Sequence, residues 1–86
     1  MKYKEIQIYH SILSNKYIYA ISNYEGEILK TSPSKQGFFA YPETVSDEVA
    51  FNVLKDFLIK NGIEEIAKLE NKIKMLKELQ YEKKEN

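Results

Sequence analysis

His10 is the only imidazole in the 86-residue chain, and Ser11 follows it directly. A hydroxyl beside a general base, oriented by a carboxylate, is the arrangement of a hydrolytic site. Successive strand residues point to opposite faces, however, so adjacency alone does not make His10 and Ser11 a dyad. Glu25, Glu27 and Glu43 are the carboxylates that folding could carry towards His10, and nothing in their spacing demands it. With Ile8 and Ile12 as neighbours, His10 reads as a core-edge residue bonded to Tyr or backbone. The absence of Cys excludes thiolate metal sites, and one His leaves little for a zinc site. The acidic pairs Asp47-Glu48 and Glu64-Glu65 stand where helical patterns begin, and there they suit the positive end of the helix dipole. Neither has the spacing or central Gly of a calcium loop. Gly26, Gly37 and Gly62 are too scattered to cradle a phosphate. The expectation is a non-enzymatic protein without metal or cofactor.

Seven Tyr remain as a chemical resource. Tyr3, Tyr9, Tyr17, Tyr19 and Tyr24 fall in or beside the strand patterns described below. Strand aromatics can stack bases, but sheets that do so also carry cations. Thirteen Lys are balanced by thirteen Asp and Glu, and Arg is absent. Arg is the residue suited to bidentate phosphate contacts, and a nucleic-acid binder normally shows a basic excess. Nucleic-acid binding through a Tyr-rich sheet is therefore an alternative to protein binding, where Tyr is also enriched. The all-Lys, Ile-, Asn- and Tyr-rich composition is what AT-rich codons tend to produce, as in low-GC bacteria and their mobile elements. No stretch reaches the roughly eighteen apolar residues of a membrane span. The start, Met1-Lys2-Tyr3-Lys4-Glu5, lacks the apolar block of a signal peptide. The cytoplasm is the expected location.

The N-terminal half alternates apolar and polar residues over 3–13, with Ile6, Ile8, His10 and Ile12 on one face. Period two with β-branched and aromatic side chains predicts a half-buried strand. A two-residue turn at Ser14-Asn15 would lead to a second strand over 16–23. It would oppose Ile12 to Tyr17, His10 to Tyr19 and Ile8 to Ile21, so that Ile6, Ile8, Ile12, Tyr17, Tyr19 and Ile21 share a face. Glu25-Gly26 reads as the next turn and 27–31 as a third strand. After a loop over 32–37, Phe38-Phe39-Ala40-Tyr41 is a short apolar run, read first as a fourth, edge strand and otherwise as a buried loop.

The C-terminal half contains no Pro beyond Pro42 and only Gly62 among glycines. Thr44 and Ser46 compete as N-caps of a first helix. Its apolar stripe is Ala50, Val53, Leu54, Phe57 and Leu58, flanked by Val49 and Phe51. Asn61-Gly62 reads as its C-cap, with Gly left-handed. A second helix follows over 63–83, where Ile66, Leu69, Ile73 and Leu76 repeat at spacings of three, four and three, as in a coiled coil. A parallel in-register dimer would set Glu65 near the partner's Glu70 and Lys72 near its Lys77, so a parallel pair is disfavoured. The fold class is α+β: an antiparallel meander of three to four strands and two C-terminal helices. A single domain covers 1–86, divided into sheet (1–43), core helix (44–61), second helix (63–83) and a frayed tail (84–86).

In size and layout, with its meander over Ile6–Leu29, apolar run Gly37–Tyr41 and heptad helix Ile63–Leu79, the chain resembles small accessory proteins of phages and prophages of low-GC bacteria. The resemblance implies a binding protein that blocks or adapts a host protein, as anti-CRISPR and other anti-defence proteins do. It carries no site residues. From the residues themselves, the expected partner-binding set is Ile66, Leu69, Ile73 and Leu76, with Phe39, Tyr41, Tyr9 and Tyr24. A homo-oligomer assembled through the C-terminal helix is the structural alternative.

Overall fold

The computed structural model describes residues 2–27, 31–62 and 70–82, and the side chains among them apart from those of 62 and 70–73. Strands β1 (Lys2–Ser11) and β2 (Lys16–Glu25) form a long antiparallel hairpin. Strand β3 (Phe38–Pro42) pairs antiparallel with the other side of β1, giving the order β2-β1-β3. Helix α1 (Asp47–Phe57) and helix α2 (Glu70–Glu78) complete an α+β architecture.

The hairpin differs from expectation in register and agrees with it in facing. The observed pairs are His10 with Tyr17, Ile8 with Tyr19 and Ile6 with Ile21. The connection is the four residues Ile12–Asn15, and Asn15 alone takes the left-handed conformation, at φ 51°. The register is thus displaced by two residues. A one-residue slip would exchange the faces, whereas a two-residue slip keeps every side chain on its own side. Ile6, Ile8, Tyr17, Tyr19 and Ile21 therefore still share a face. Ile12 leaves the sheet and lies fully exposed with Leu13 at the hairpin tip.

The described sheet is not a meander, because β3 returns beside β1 rather than beside β2. Most of the third strand expected over 27–31 lies outside the described residues. The apolar run 38–41 is an edge strand, with Phe39 and Tyr41 turned towards the helices and Phe38 and Ala40 away from them.

Helix α1 starts at Ser46, whose hydroxyl accepts the Val49 N–H at 3.1 Å. Asp47 and Glu48 occupy its first turn, where their charge opposes the dipole favourably. Ala50, Phe51, Leu54 and Leu58 are buried against Ile6, Ile8, Phe39 and Tyr41. This corrects the expected stripe: Phe51 is inside and Val53 is exposed. The first helix also does not run evenly to residue 61, since the chain widens into a π-helical turn over Leu58–Gly62.

The second helix ends at Glu78, short of the expected residue 83. Lys55 caps this end. Its ammonium group donates to the carbonyls of Lys77, at 3.1 Å, and Leu79. A cation on terminal carbonyls satisfies acceptors that the helix itself leaves open. The chain then runs back over the sheet. The Tyr19 hydroxyl accepts the Glu82 N–H at 3.1 Å and lies 3.3 Å from the Glu82 carbonyl. Tyr81 stacks on Tyr19 and tilts against Phe51. Leu76 is fully buried in the same core as Ile6 and Leu54.

Candidate protein-binding surface

The helices cover one face of the sheet. Alternation along paired strands places Tyr3, Glu5, Gln7 and Tyr9 of β1, Ile18, Ala20, Ser22 and Tyr24 of β2, and Phe38 and Ala40 of β3 on the other. No helix among the described residues lies over this second face. Tyr9 and Tyr24 are each 44% exposed and Phe38 is 40% exposed. Tyr9 stands opposite Ile18, and Tyr24 opposite Tyr3. The one charge at the centre is Glu5, which accepts a hydrogen bond from Gln7 at 3.3 Å. Lys16 stands at the rim. A groove of about 250 Å³ runs along this face between Glu5, Ser32, Ser34, Phe38 and Ala40.

The residues expected to bind a partner are divided by the fold. Tyr9 and Tyr24 lie on the open face. Phe39 and Tyr41 do not: both are buried beneath α1, because β3 turns its odd-numbered residues inward. Leu76 is likewise enclosed by the chain's own core, so at that position the heptad stripe packs at home. Ile66 and Leu69 lie outside the described residues, as does the side chain of Ile73. Phe38 and Ile18 join the open face without having been singled out in the sequence. A four-residue run cannot show which of its alternate positions faces out, and that is why Phe38 was not legible.

His10 packs edge-on against Tyr17, with ring centroids 5.4 Å apart, and its Nε2 lies 3.2 Å from Asn15 Oδ1. Glu25 and Glu43 sit at the other end of the sheet, where Glu25 pairs with Lys2 and Glu43 donates its N–H to the Lys2 carbonyl. Eight steps along the strand lead from Lys2 to His10, about 26 Å at about 3.3 Å per residue. Neither carboxylate can orient this imidazole. No group of three or more His, Cys, Asp or Glu that could hold a metal occurs among the described residues.

Compared with protein-family models, curated proteins and solved structures, the chain matches none.

An open cleft of about 510 Å³ lies between the hairpin tip and the end of α2, lined by Asn15, Tyr17, Met75 and Leu79 among others. No described helix is long and apolar enough to cross a membrane.

On the covered side, one polar cluster ties three elements together. Asp47 at the start of α1 accepts from Lys4 Nζ of β1 at 3.2 and 3.3 Å and from the Tyr41 hydroxyl of β3 at 2.9 Å. Burial, then the Asp47 hydrogen bond and charge, hold the Tyr41 phenol well above its ordinary pKa. Burial also raises Tyr17. A phenol whose folded-state pKa is raised keeps its proton longer in the native chain than in the unfolded one. Its contribution is fully present below about pH 10 and is lost as pH climbs through the folded value. Stability should therefore fall above about pH 10, by up to about 1.4 kcal/mol per pH unit from the Tyr41 phenol. In Tyr41→Phe the alkaline limb should be shallower, whereas near neutrality the variant should be less stable by about 1.5 kcal/mol. Urea unfolding of the two proteins from pH 7 to pH 11 checks both signs.

Proposed function

We propose that this is a non-catalytic binding protein whose partner is another protein, held on the open face of the sheet. The observation that carries this reading is the grouping of half-exposed Tyr9, Tyr24 and Phe38 on one face that no described helix covers and whose described strand residues carry little charge. Tyr and Phe give large rigid contact areas with little side-chain entropy to lose, and charge is depleted at interface centres. The polar environment of His10, with Asn15 as its side-chain partner, favours a structural role for the imidazole over a catalytic one. The resemblance to phage accessory proteins favours a host protein as the partner, and among host proteins a defence effector such as a CRISPR component. Such a protein would act in the host cytoplasm.

Nucleic acid would need cations beside the aromatics. On this face Lys16 is the one cation on the strands, and it stands at the rim. The exposed Tyr therefore fit a protein better than a phosphate backbone.

The discriminating experiment is affinity capture from a low-GC bacterial lysate with the wild-type chain and with Tyr9→Ser/Tyr24→Ser. Both side chains are half-exposed, so the double variant should keep the wild-type circular dichroism. A protein retained by the wild type should be lost by at least about tenfold on the variant, since truncating a hot-spot Tyr at an interface costs about 2 kcal/mol or more. Equal retention by both would remove the open face from the account. Retention that is nuclease-sensitive and falls steeply with salt would replace the partner with nucleic acid.

A further inference from the structure

We infer that two copies of this chain pair antiparallel through the outer edge of β2, joining their sheets into one sheet twice as wide. The inference is independent of the open-face reading and rests on backbone groups rather than side chains.

The hydrogen-bonding parity of the sheet can be worked out strand by strand. Ile8 donates its N–H to the Gly37 carbonyl, and Lys2 accepts from the Glu43 N–H. Even-numbered residues of β1 therefore direct their backbone groups to β3, and odd-numbered ones to β2, as the antiparallel alternation requires. Through the observed register, the odd residues of β1 exchange bonds with the even residues of β2. That leaves Tyr17, Tyr19, Ile21 and Asn23 with N–H and C=O groups pointing away from the sheet. No strand among the described residues pairs with them.

The two edges of this sheet are treated differently. On β3 the outward groups of Phe38 are already taken: its carbonyl accepts the Ser34 N–H at 2.8 Å, and its N–H donates to Ser34 Oγ at 3.3 Å. That strand is five residues long and ends in Pro42. Shortness, Pro and a covering loop are the usual protections of an edge. Strand β2 is ten residues long and has no Pro, and none of its residues between Lys16 and Glu25 carries a charge. It has the form of an edge left able to pair.

Charge selects the partner and the direction. The only charged side chains of β2 are Lys16 at one end and Glu25 at the other. Antiparallel self-pairing brings Lys16 of each copy alongside the Glu25 end of the other, whereas a parallel pairing would set Lys16 beside Lys16. Opposed residues must share a face, so the two-fold axis passes through Ala20 or Ile21. An axis normal to the sheet keeps both copies of α1 on one side, and the two open faces merge on the other.

The test uses the full chain. Sedimentation equilibrium of the wild type should give twice the 10.1 kDa chain mass. Asn23→Pro removes an outward N–H and leaves the ladder to β1 intact, and Ala20→Lys sets like charges together at the axis. Each should weaken the dimer by at least about tenfold, with circular dichroism unchanged. Amide exchange at Tyr17, Tyr19, Ile21 and Asn23 should be slowed in the wild-type dimer and fast in monomeric Ala20→Lys, and Asn23→Pro should show the same at the three amides it keeps. A wild type that remains at 10.1 kDa up to millimolar concentration overturns the inference. So does a dimer that survives both substitutions, or one in which those four amides exchange as freely as in Ala20→Lys.

Discussion

Gly37→Ala is expected to destabilise the protein by more than about 3 kcal/mol, enough to leave a chain of this size marginally folded. Gly37 adopts φ +89°, a conformation that L side chains rarely take. A Cβ built there meets the Ile8 carbonyl oxygen at 2.4 Å. That oxygen belongs to the backbone of the central strand and cannot rotate away. Relief would require β3 to withdraw from β1, breaking the 2.9 Å bond from Ile8 N–H to the Gly37 carbonyl. The loss would extend to Phe39 and Tyr41, which β3 delivers to the core. Gly26→Ala is the informative control. Gly26 also has a positive φ, +141°, but its added Cβ would meet only the side chain of Tyr24, at 3.4 Å and beyond. Backbone strain alone should cost that variant about 1–2 kcal/mol. Chemical denaturation of the two variants and the wild type gives the comparison, and a larger loss for Gly26→Ala would show that the β1–β3 junction is not tight.

Phe51→Ala should cost about 3–5 kcal/mol, the range for removing a buried aromatic ring. Phe51 is 1% exposed. Its ring meets Tyr19 edge-on at 4.9 Å and Tyr81 at 5.8 Å, and Lys55 Nζ stands 5.8 Å above it. Tyr19 and Tyr81 also hold the segment after α2 against the sheet, so the ring supports the return of the chain as well as the core. The small size of the domain makes the loss severe, since about 0.05–0.15 kcal/mol per residue is the usual total stability. Val53→Ala, two positions along the same helix, should cost less than about 1 kcal/mol, because Val53 faces solvent. Thermal unfolding of the pair decides between the helix orientation seen here and the one expected from the apolar stripe. If Val53→Ala were the more damaging, α1 would be rotated.

These two helix positions show how far the fold was legible. From Val49 to Ile59 apolar residues occupy so much of the helix circumference that spacing alone allows two neighbouring stripes. The bulk of Phe51 and the aromatic partners Tyr19 and Tyr81 decide between them, and both partners lie far off in sequence. The sheet was more readable. Alternation put Ile6, Ile8, Tyr17, Tyr19 and Ile21 on one face, and that assignment survives a two-residue change of register because parity does not alter. The loop length was hidden, since Asn15 can serve as the left-handed residue of either a short or a longer turn. The pairing of β3 with β1, the reach of Lys55 to the end of α2 and the burial of Leu76 all join residues distant in sequence. No local pattern carries them.

The same limit applies to the proposed binding surface. An aromatic on a strand announces itself in the sequence, but whether it faces the helices or solvent depends on the register. Tyr9 and Tyr24 came out on the open face, and Phe39 and Tyr41 on the closed one. Pairing through β2 would place two open faces side by side and enlarge the surface available to a partner, although neither proposal needs the other.

Tyrosine reactivity read by mass spectrometry, on the free chain and on the chain captured with its partner, tests the central claim most directly. In the free chain Tyr9 and Tyr24 should be modified readily and Tyr41 spared, and in the complex Tyr9 and Tyr24 should become protected at least about tenfold. Modification of Tyr9 and Tyr24 to the same extent with and without the partner would contradict it.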